Sequence, residues 1–409
     1  MLRLSGYERQ LGQIKTSPDD FIVQEICENG TVLELNKTYD SADLGYEDIL
    51  EGKFVSFVMQ KRNWNTAQAL VEIARHCHHG KSSIGFAGTK DHTSTSTQLC
   101  SIFGASLDDI TRLHIKDISI NGAWRSNRAI KMGELIGNSF VIRINGKIDT
   151  SIIAKSAESL GKKFPNYFGL QRFGARGNNA QIGIDIIKGE FESAVMHFLS
   201  DITNEKNEDA ISARTRLSKE LDFKDACEYF PHYLRYERSM LSHLSMFEND
   251  FEGALKALPK TLLLMFIHAL EAQIFNKEVE EFIREGHINP IKGDLICDLN
   301  QRQFYSQQSM RIAHGEEKDS IILANIVGYN TKNITEIESI ELERLGIKAG
   351  DFIVRHMPHL GCKGDVRPIF APFSNFKVEN NDGSAAMKFM LPAGSYATVL
   401  IEEFIDTHQ

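Results

Sequence analysis

Apolar and polar positions alternate in short runs through the first part of the chain, the period-two pattern of half-buried β-strands. Phe21 to Ile26, Thr31 to Leu35, Phe54 to Gln60 and Phe140 to Ile144 each carry Val, Ile or Phe in partial alternation and are predicted as strands. Between them the period changes. Ala67, Leu70, Val71 and Ala74 recur at helical spacing, so Thr66 to His79 is predicted as an amphipathic helix, with Asn65 or Thr66 as N-cap and Gly80 closing it. From about Gly161 to Ile347 the pattern is mainly helical, clearest at Ser193 to Leu199 and Leu262 to Phe282. After the turn residues Asn380, Asn381, Asp382 and Gly383, strand texture returns at Ala386 to Leu391 and at Tyr396 to Ile405. A tail that resembles the head predicts one domain split by an insertion.

Composition narrows the class. A chain of 409 residues exceeds one ordinary core, and 42% hydrophobic with 25% charged residues is a globular rather than a disordered balance. The six cysteines form no C-x-x-C pair, so reduced thiols are expected rather than structural zinc or a redox centre. Met1 to Gln10 lacks the apolar core of a secretory signal. The strongest apolar run, Leu262 to Ile267, is ended by His268, far short of the roughly 20 residues that span a bilayer. A cytoplasmic protein without membrane segments is the expectation. The net charge of −9 argues against a uniformly nucleic-acid-coating surface, yet Lys61 to Lys131 holds ten basic residues against five acids. That segment reads either as a phosphate-facing surface or as a solvated mixed-charge face.

Three motifs fail on their geometry. His76, Cys77, His78 and His79 crowd like metal ligands, but consecutive helical residues point in different directions, and a helix C-terminus that favours imidazole explains them. Gly80-Lys81-Ser82 imitates the end of a phosphate loop, yet Arg75 stands where its first glycine belongs. No G-x-S-x-G nucleophile elbow occurs. What remains is Gly85 to Gln98, where small and apolar residues lead into Lys90-Asp91 and a hydroxyl-rich run. A carboxylate at such a transition can be presented to a substrate as nucleophile or base, and it can equally be a capping Asp.

The segment resembles the G-x-K-D-x-x-A-x-T-x-Q motif of the TruD family of tRNA pseudouridine synthases. Lys15, Pro18, Asp20, Phe21, Val23 and Glu25 resemble that family's K-x-x-P-x-D-F-x-V-x-E. Asn63, Asn65 and Thr66 are similar to N-x-N-T, and Gly137, Asn138 and Phe140 to G-N-x-F. Pro165 to Gly174 is similar to P-N-Y-F-G-x-Q-R-F-G, and Leu391 to Thr398 to the carboxy-terminal block. The chain also departs from the pattern. Ser94 and Ser96 replace the Ala and Thr of the motif, Glu402 stands where an arginine is usual, and Glu271-Ala272 replaces Gln-Ser ahead of Phe275 and Asn276.

The resemblance implies an α+β fold: a pseudouridine-synthase catalytic domain with a mixed, mostly antiparallel sheet over residues 1–158 and 366–409, interrupted by an α+β insertion domain over 159–365. It implies isomerisation of uridine to pseudouridine in tRNA, typically at position 13 in the D-arm, with no metal and no organic cofactor, by a chain expected to be a monomer. By the same resemblance Asp91 is the catalytic carboxylate, Lys15 its ion-pairing partner, Phe140 the aromatic that stacks on the base, and Asn138 an orienting group. Lys90, Gln98 and Phe21 are expected substrate contacts, although Phe21 reads equally as core. Tyr167, Phe168, Gln171, Arg172 and Phe173 are expected to pack at a domain hinge. Two other classes stay open: an RNA-binding or chaperone protein that kept the fold without turnover, and an N-glycoside hydrolase acting through Asp91.

Overall fold

β-Branched and aromatic residues at alternate positions build six strands in the head of the computed structural model, which describes residues 1–407 except 48, 50, 301–303, 306–308, 318 and 382–383. They are β1 (Phe21–Ile26), β2 (Phe54–Arg62), β3 (Ile84–Phe86), β4 (Thr95–Phe103), β5 (Ile118–Ser126) and β6 (Gly137–Asn145). The expected strand at Thr31 to Leu35 does not form. Gly30 turns the chain with φ +85°, Val32 makes one bridge to Ile26, and Leu33 N–H donates to Glu25 C=O at 2.9 Å, a return too brief to extend a ladder.

Helix α1 (Thr66–His76) begins at Asn65, whose side chain accepts from the Ala67 and Gln68 amides. Its buried stripe is Thr66, Ala69, Leu70, Ile73 and Ala74, packed with Phe57, Met59 and Cys100. Leu70 and Ala74 therefore face inward as expected, whereas Ala67 and Val71 are exposed. Ile73 is the larger anchor, and burying it rotates the apolar arc away from Val71. The helix ends before Gly80. His78 takes a left-handed φ of +59°, and the His79 amide closes on Ala74 C=O at 2.7 Å.

Two compact units divide the chain. The helical unit holds Met1–Leu2, Asn166–Ile296 and Arg311–Ile369; the sheet unit holds Arg3–Pro165, Cys297–Met310 and Phe370–Gln409. In the helical unit, α2 (Asn179–Lys188), α3 (Phe191–Ser200), α4 (Glu208–Glu220), α5 (Arg235–Met246) and α6 (Lys260–Arg284) enclose a core that includes Ile182, Phe198, Met240, Phe266 and Leu270. Gly183 lets α2 lie directly on α6, since a Cβ there would come within 2.3 Å of Phe266 C=O. A small sheet follows in the order β8-β7-β9-β10, from β7 (Leu295–Asp298), β8 (Arg311–Ile312), β9 (Ser320–Ile326) and β10 (Asp365–Pro368), with α7 (Glu336–Leu345) between the last two.

The tail supplies β11 (Ser374–Asn381) and β12 (Ser384–Pro392), completing an eight-stranded sheet in the order β11-β12-β6-β1-β4-β2-β5, with β3 beside β4. Only β1 and β4 run parallel; the other pairings are antiparallel. This is the mixed, mostly antiparallel α+β arrangement the sequence led us to expect. Asp382 and Gly383 of the expected tail turn lie outside the described residues. The expected strand from Tyr396 to Ile405 is instead helix α8 (Ala397–Ile401), with Ala397, Val399, Leu400 and Ile401 all buried. A run that is apolar on every side carries no period that separates helix from strand.

Candidate active site

The loop from Ala87 to Ser94 joins β3 to β4 and is strapped both by neighbouring elements of the sheet unit and by its own last residue. Thr66, the first residue of α1, accepts the Lys90 amide at 3.0 Å and donates to Gln98 Oε1 at 3.0 Å. Gln98 Nε2 donates to Gly88 C=O at 3.1 Å, so the glycine before the Lys-Asp pair and the lysine itself are fixed by one buried chain of bonds. Beyond them, the Asp91 carbonyl accepts from Ser94 Oγ at 2.7 Å and from Lys61 Nζ at 2.8 Å. Ser94 thus keeps the loop closed where the family motif carries alanine.

These straps turn adjacent side chains in opposite directions. Lys90 points inward and ion-pairs with Glu25 at 2.6 Å, both fully buried, while the second Glu25 oxygen accepts the Leu99 amide at 2.9 Å. Asp91 points outward, its side chain 37% exposed, and Lys15 Nζ donates to its carboxylate Oδ2. Lys15 itself adopts a left-handed φ of +58°, unusual for a residue with a Cβ and characteristic of positions fixed by their surroundings. Its ammonium lies 4.1 Å from the centroid of the Phe21 ring, a cation–π contact that holds it beside Asp91. Immediately after Lys15, Ser17 and Asp20 form a reciprocal capping box over Pro18–Asp20, which delivers Phe21 into β1.

Phe21 stands edge-on to Phe140, with centroids 6.2 Å apart, and Phe140 stacks on Phe389 at 5.3 Å. The β6 register sets Phe140 opposite Val23 and Asn138 opposite Glu25. Phe140 is only 6% exposed, so little of its ring is accessible. Asn138 Oδ1 is buried and has no hydrogen-bond partner among the described residues, an acceptor whose desolvation is not offset within the chain.

The structure therefore brings Lys15, Asp91, Phe21 and Phe140 together in one contact chain and sets Asn138 on the same sheet. Lys90 and Gln98, expected as substrate contacts, offer no exposed polar group, because each is buried and engaged in holding the loop. Of the long motif from Pro165 to Gly174, the residues from Asn166 onward belong to the helical unit. Within the helical unit, Asn276 brackets Phe168 through both backbone groups at 2.8 and 3.0 Å, Phe275 meets its ring edge-on, and Arg367 lies 4.3 Å over its face.

Lys61 and Glu25 are the functional neighbours that sequence reasoning gave no role. Lys61 is completely buried, and desolvation pulls its ammonium down to about 8, opposed by the Asp91 charge. The signal was present: Phe57, Met59 and Lys61 share one face of β2, so a lysine occupies a core position. Asp19 stands at the edge of the group, where a bidentate Arg62 and a 2.7 Å bond from Thr95 Oγ1 lower its carboxyl below the ordinary range.

Comparison with known proteins gives a consistent picture. Residues 3–404 match the family model described as tRNA pseudouridine synthase D (TruD). A Thermoplasma volcanium protein described as a probable tRNA pseudouridine synthase D is 33% identical, across 95% of this chain and 93% of its own length. A Methanosarcina barkeri protein of the same description is 30% identical across 96% and 93%. A solved structure from Methanosarcina mazei, described under the same family name, superposes with a TM-score of 0.76 at 27% identity, covering 99% of this chain and 96% of that one.

Proposed function

The chain belongs to the TruD family of tRNA pseudouridine synthases, and from that premise we propose that it isomerises uridine to pseudouridine in tRNA, at position 13 of the D-arm, with Asp91 as the reacting carboxylate. The observation that carries the reading is the ion pair between Lys15 and an accessible Asp91 on a loop otherwise strapped from behind. Lys15 pairs with one carboxylate oxygen and so fixes the direction in which the other faces. A uridine held in folded RNA must leave the stack to reach it, at a cost of a few kcal/mol.

Asp91 then acts on the sugar, by attack on C1′ or by removing a ribose proton. On either route the N1–C1′ bond breaks and the detached uracil turns; C5 then bonds to C1′ as the Asp91–C1′ bond breaks, or as Asp91 returns the ribose proton, and the hydrogen on C5 leaves as a proton. Phe21 and Phe140 form the aromatic wall of the site, with Phe140 backed by Phe389. Asn138 Oδ1, buried without a partner, is suited to accept an N–H from the base or from a group beside it. Lys90 and Gln98 act through the loop. In this reading the sheet unit is the catalytic domain, the helical unit is the insertion, and the chain works on tRNA as a cytoplasmic monomer.

Tritium release from tRNA transcribed with C5-tritiated uridine tests the proposal, because only bonding at C5 expels that hydrogen. Release by the wild type and none by Asp91→Asn, with tRNA affinity retained, is the expected result. Release by neither, with binding intact, transfers the chain to the RNA-binding class; free uracil in the supernatant transfers it to the N-glycoside hydrolases.

A further inference from the structure

In the helical unit, His268 and Glu271 sit one turn apart on α6, and the chain after the short turn at Pro358–Leu360 brings Cys362 against them. Their ligand atoms all lie within 4.8 Å of one another, and they are the one such His/Cys/Asp/Glu group among the described residues. From this cluster we propose that His268, Glu271 and Cys362 bind a borderline-soft divalent ion of the zinc class, leaving a coordination position open to the adjoining pocket of about 560 Å³.

Donor chemistry is the first reason. Imidazole, carboxylate and thiolate together are the ligand set of zinc and its neighbours, whereas calcium and magnesium take oxygen almost exclusively. Tetrahedral bonds of about 2.0–2.3 Å set ligand atoms about 3.3–3.8 Å apart. The spacings here bracket that range: His268 Nδ1 is 2.6 Å from Glu271 Oε2 and 4.0 Å from Cys362 Sγ. Small side-chain rotations suffice, and the backbones are already fixed. Two ligands ride on a 25-residue helix, while the Cys362 amide donates to Phe352 C=O at 3.0 Å and its carbonyl accepts from Tyr329 at 2.9 Å. Ligands on rigid elements lose little freedom on binding.

Burial supplies the second reason. Glu271 and Cys362 are both buried, while His268 is partly exposed toward the pocket. Glu271 stands where the family pattern carries a glutamine, so this chain has placed a carboxylate beside a buried thiol. Side by side and buried, a thiolate and that carboxylate would repel each other without a counter-charge. A divalent ion reverses the balance: zinc displaces the thiol proton to solvent and brings the thiolate and carboxylate to neutrality with the metal. Lys260 and Lys363 on the pocket wall oppose a cation, and the Asp365 carboxylate on the same wall favours one. The proposal does not depend on the chemistry at Asp91, which belongs to the other unit.

Cobalt(II) loading of the intact chain tests it. We expect one equivalent to bind with tetrahedral visible absorption and a thiolate-to-cobalt charge-transfer band, and the band to vanish in Cys362→Ser. Competition against a chromophoric chelator should show zinc affinity lower by at least about tenfold in Glu271→Gln, which keeps the shape of the side chain while losing its charge. Circular dichroism establishes that each variant is folded. A folded wild type without the thiolate band, or equal zinc affinity in wild type and both variants, overturns the proposal.

Discussion

Two lysine–carboxylate pairs meet at one loop and differ in nearly everything that decides their use. Lys90 and Glu25 are sealed in the sheet unit, with side-chain exposures of 3% and 1%, while Lys15 and Asp91 are 21% and 37% exposed. The buried pair is braced on both sides: Glu25 has a second donor in the Leu99 amide, and the backbone of Lys90 is held by Thr66. The outer pair leaves a carboxylate oxygen facing solvent. Residues 90 and 91 are adjacent, so the loop anchors one side chain and presents the next to solvent. Charge burial explains the division. A sealed pair lacks room for substrate but is costly to break, whereas an accessible pair contributes little to stability and can exchange partners.

The comparison breaks most decisively at Asp91. Asp91→Asn keeps size and loop bonds, since these use the Asp91 carbonyl, yet turnover by tritium release should fall on the order of 10⁴-fold or more with the melting curve nearly unchanged. Glu25→Gln should show the opposite profile. It leaves Lys90 buried without a counter-charge and should cost about 3–5 kcal/mol in denaturant unfolding, and Glu25→Leu with Lys90→Met should recover most of that loss. If Glu25→Gln is tolerated at full stability, the anchoring role assigned to the inner pair is wrong. Lys15→Met comes next: turnover should drop about 100-fold, with unfolding free energy within about 1 kcal/mol of wild type. A large loss of stability there would make the outer pair a structural one too.

How much of this was legible in the sequence depends on whether the signal was local. Strands such as Phe21–Ile26 and helix α1 carry their own period, and Asp91 with Lys15 is read from ordered motifs along the chain. The α1 stripe was displaced because Ala67 and Val71 satisfy helical spacing as well as the true face does; only the position of β2 and β4 selects Ile73. The tail helix Ala397–Ile401 was hidden because burial on all sides erases periodicity. Lys90 was expected to meet substrate and Lys61 was passed over, for one reason: the direction a lysine takes is decided by which carboxylate or carbonyl the fold sets beside it. The same holds for His268, Glu271 and Cys362, whose 94-residue separation gives no spacing to recognise.

The smallest and sharpest test concerns Lys61, which belongs to neither pair but touches the outer one through the Asp91 carbonyl. Burial lowers its ammonium from 10.5 to about 8. Below pH 8 both folded and unfolded chains carry the proton, and the folded state bears the full cost of keeping that charge out of water. Between about 8 and 10.5 the folded lysine loses its proton while the unfolded one retains it, so the unfolded state binds more protons and stability rises with pH across that window. Denaturant unfolding at pH 7 and pH 9.5 should therefore differ between wild type and Lys61→Met: the variant lacks a rise on the order of 1–2 kcal/mol that Lys61 contributes. Equal slopes in the two proteins would mean that Lys61 stays charged in the fold. The strap on the Asp91 carbonyl would then be a full ammonium donor throughout, and the loop would owe part of its rigidity to a third charged lysine rather than to burial alone.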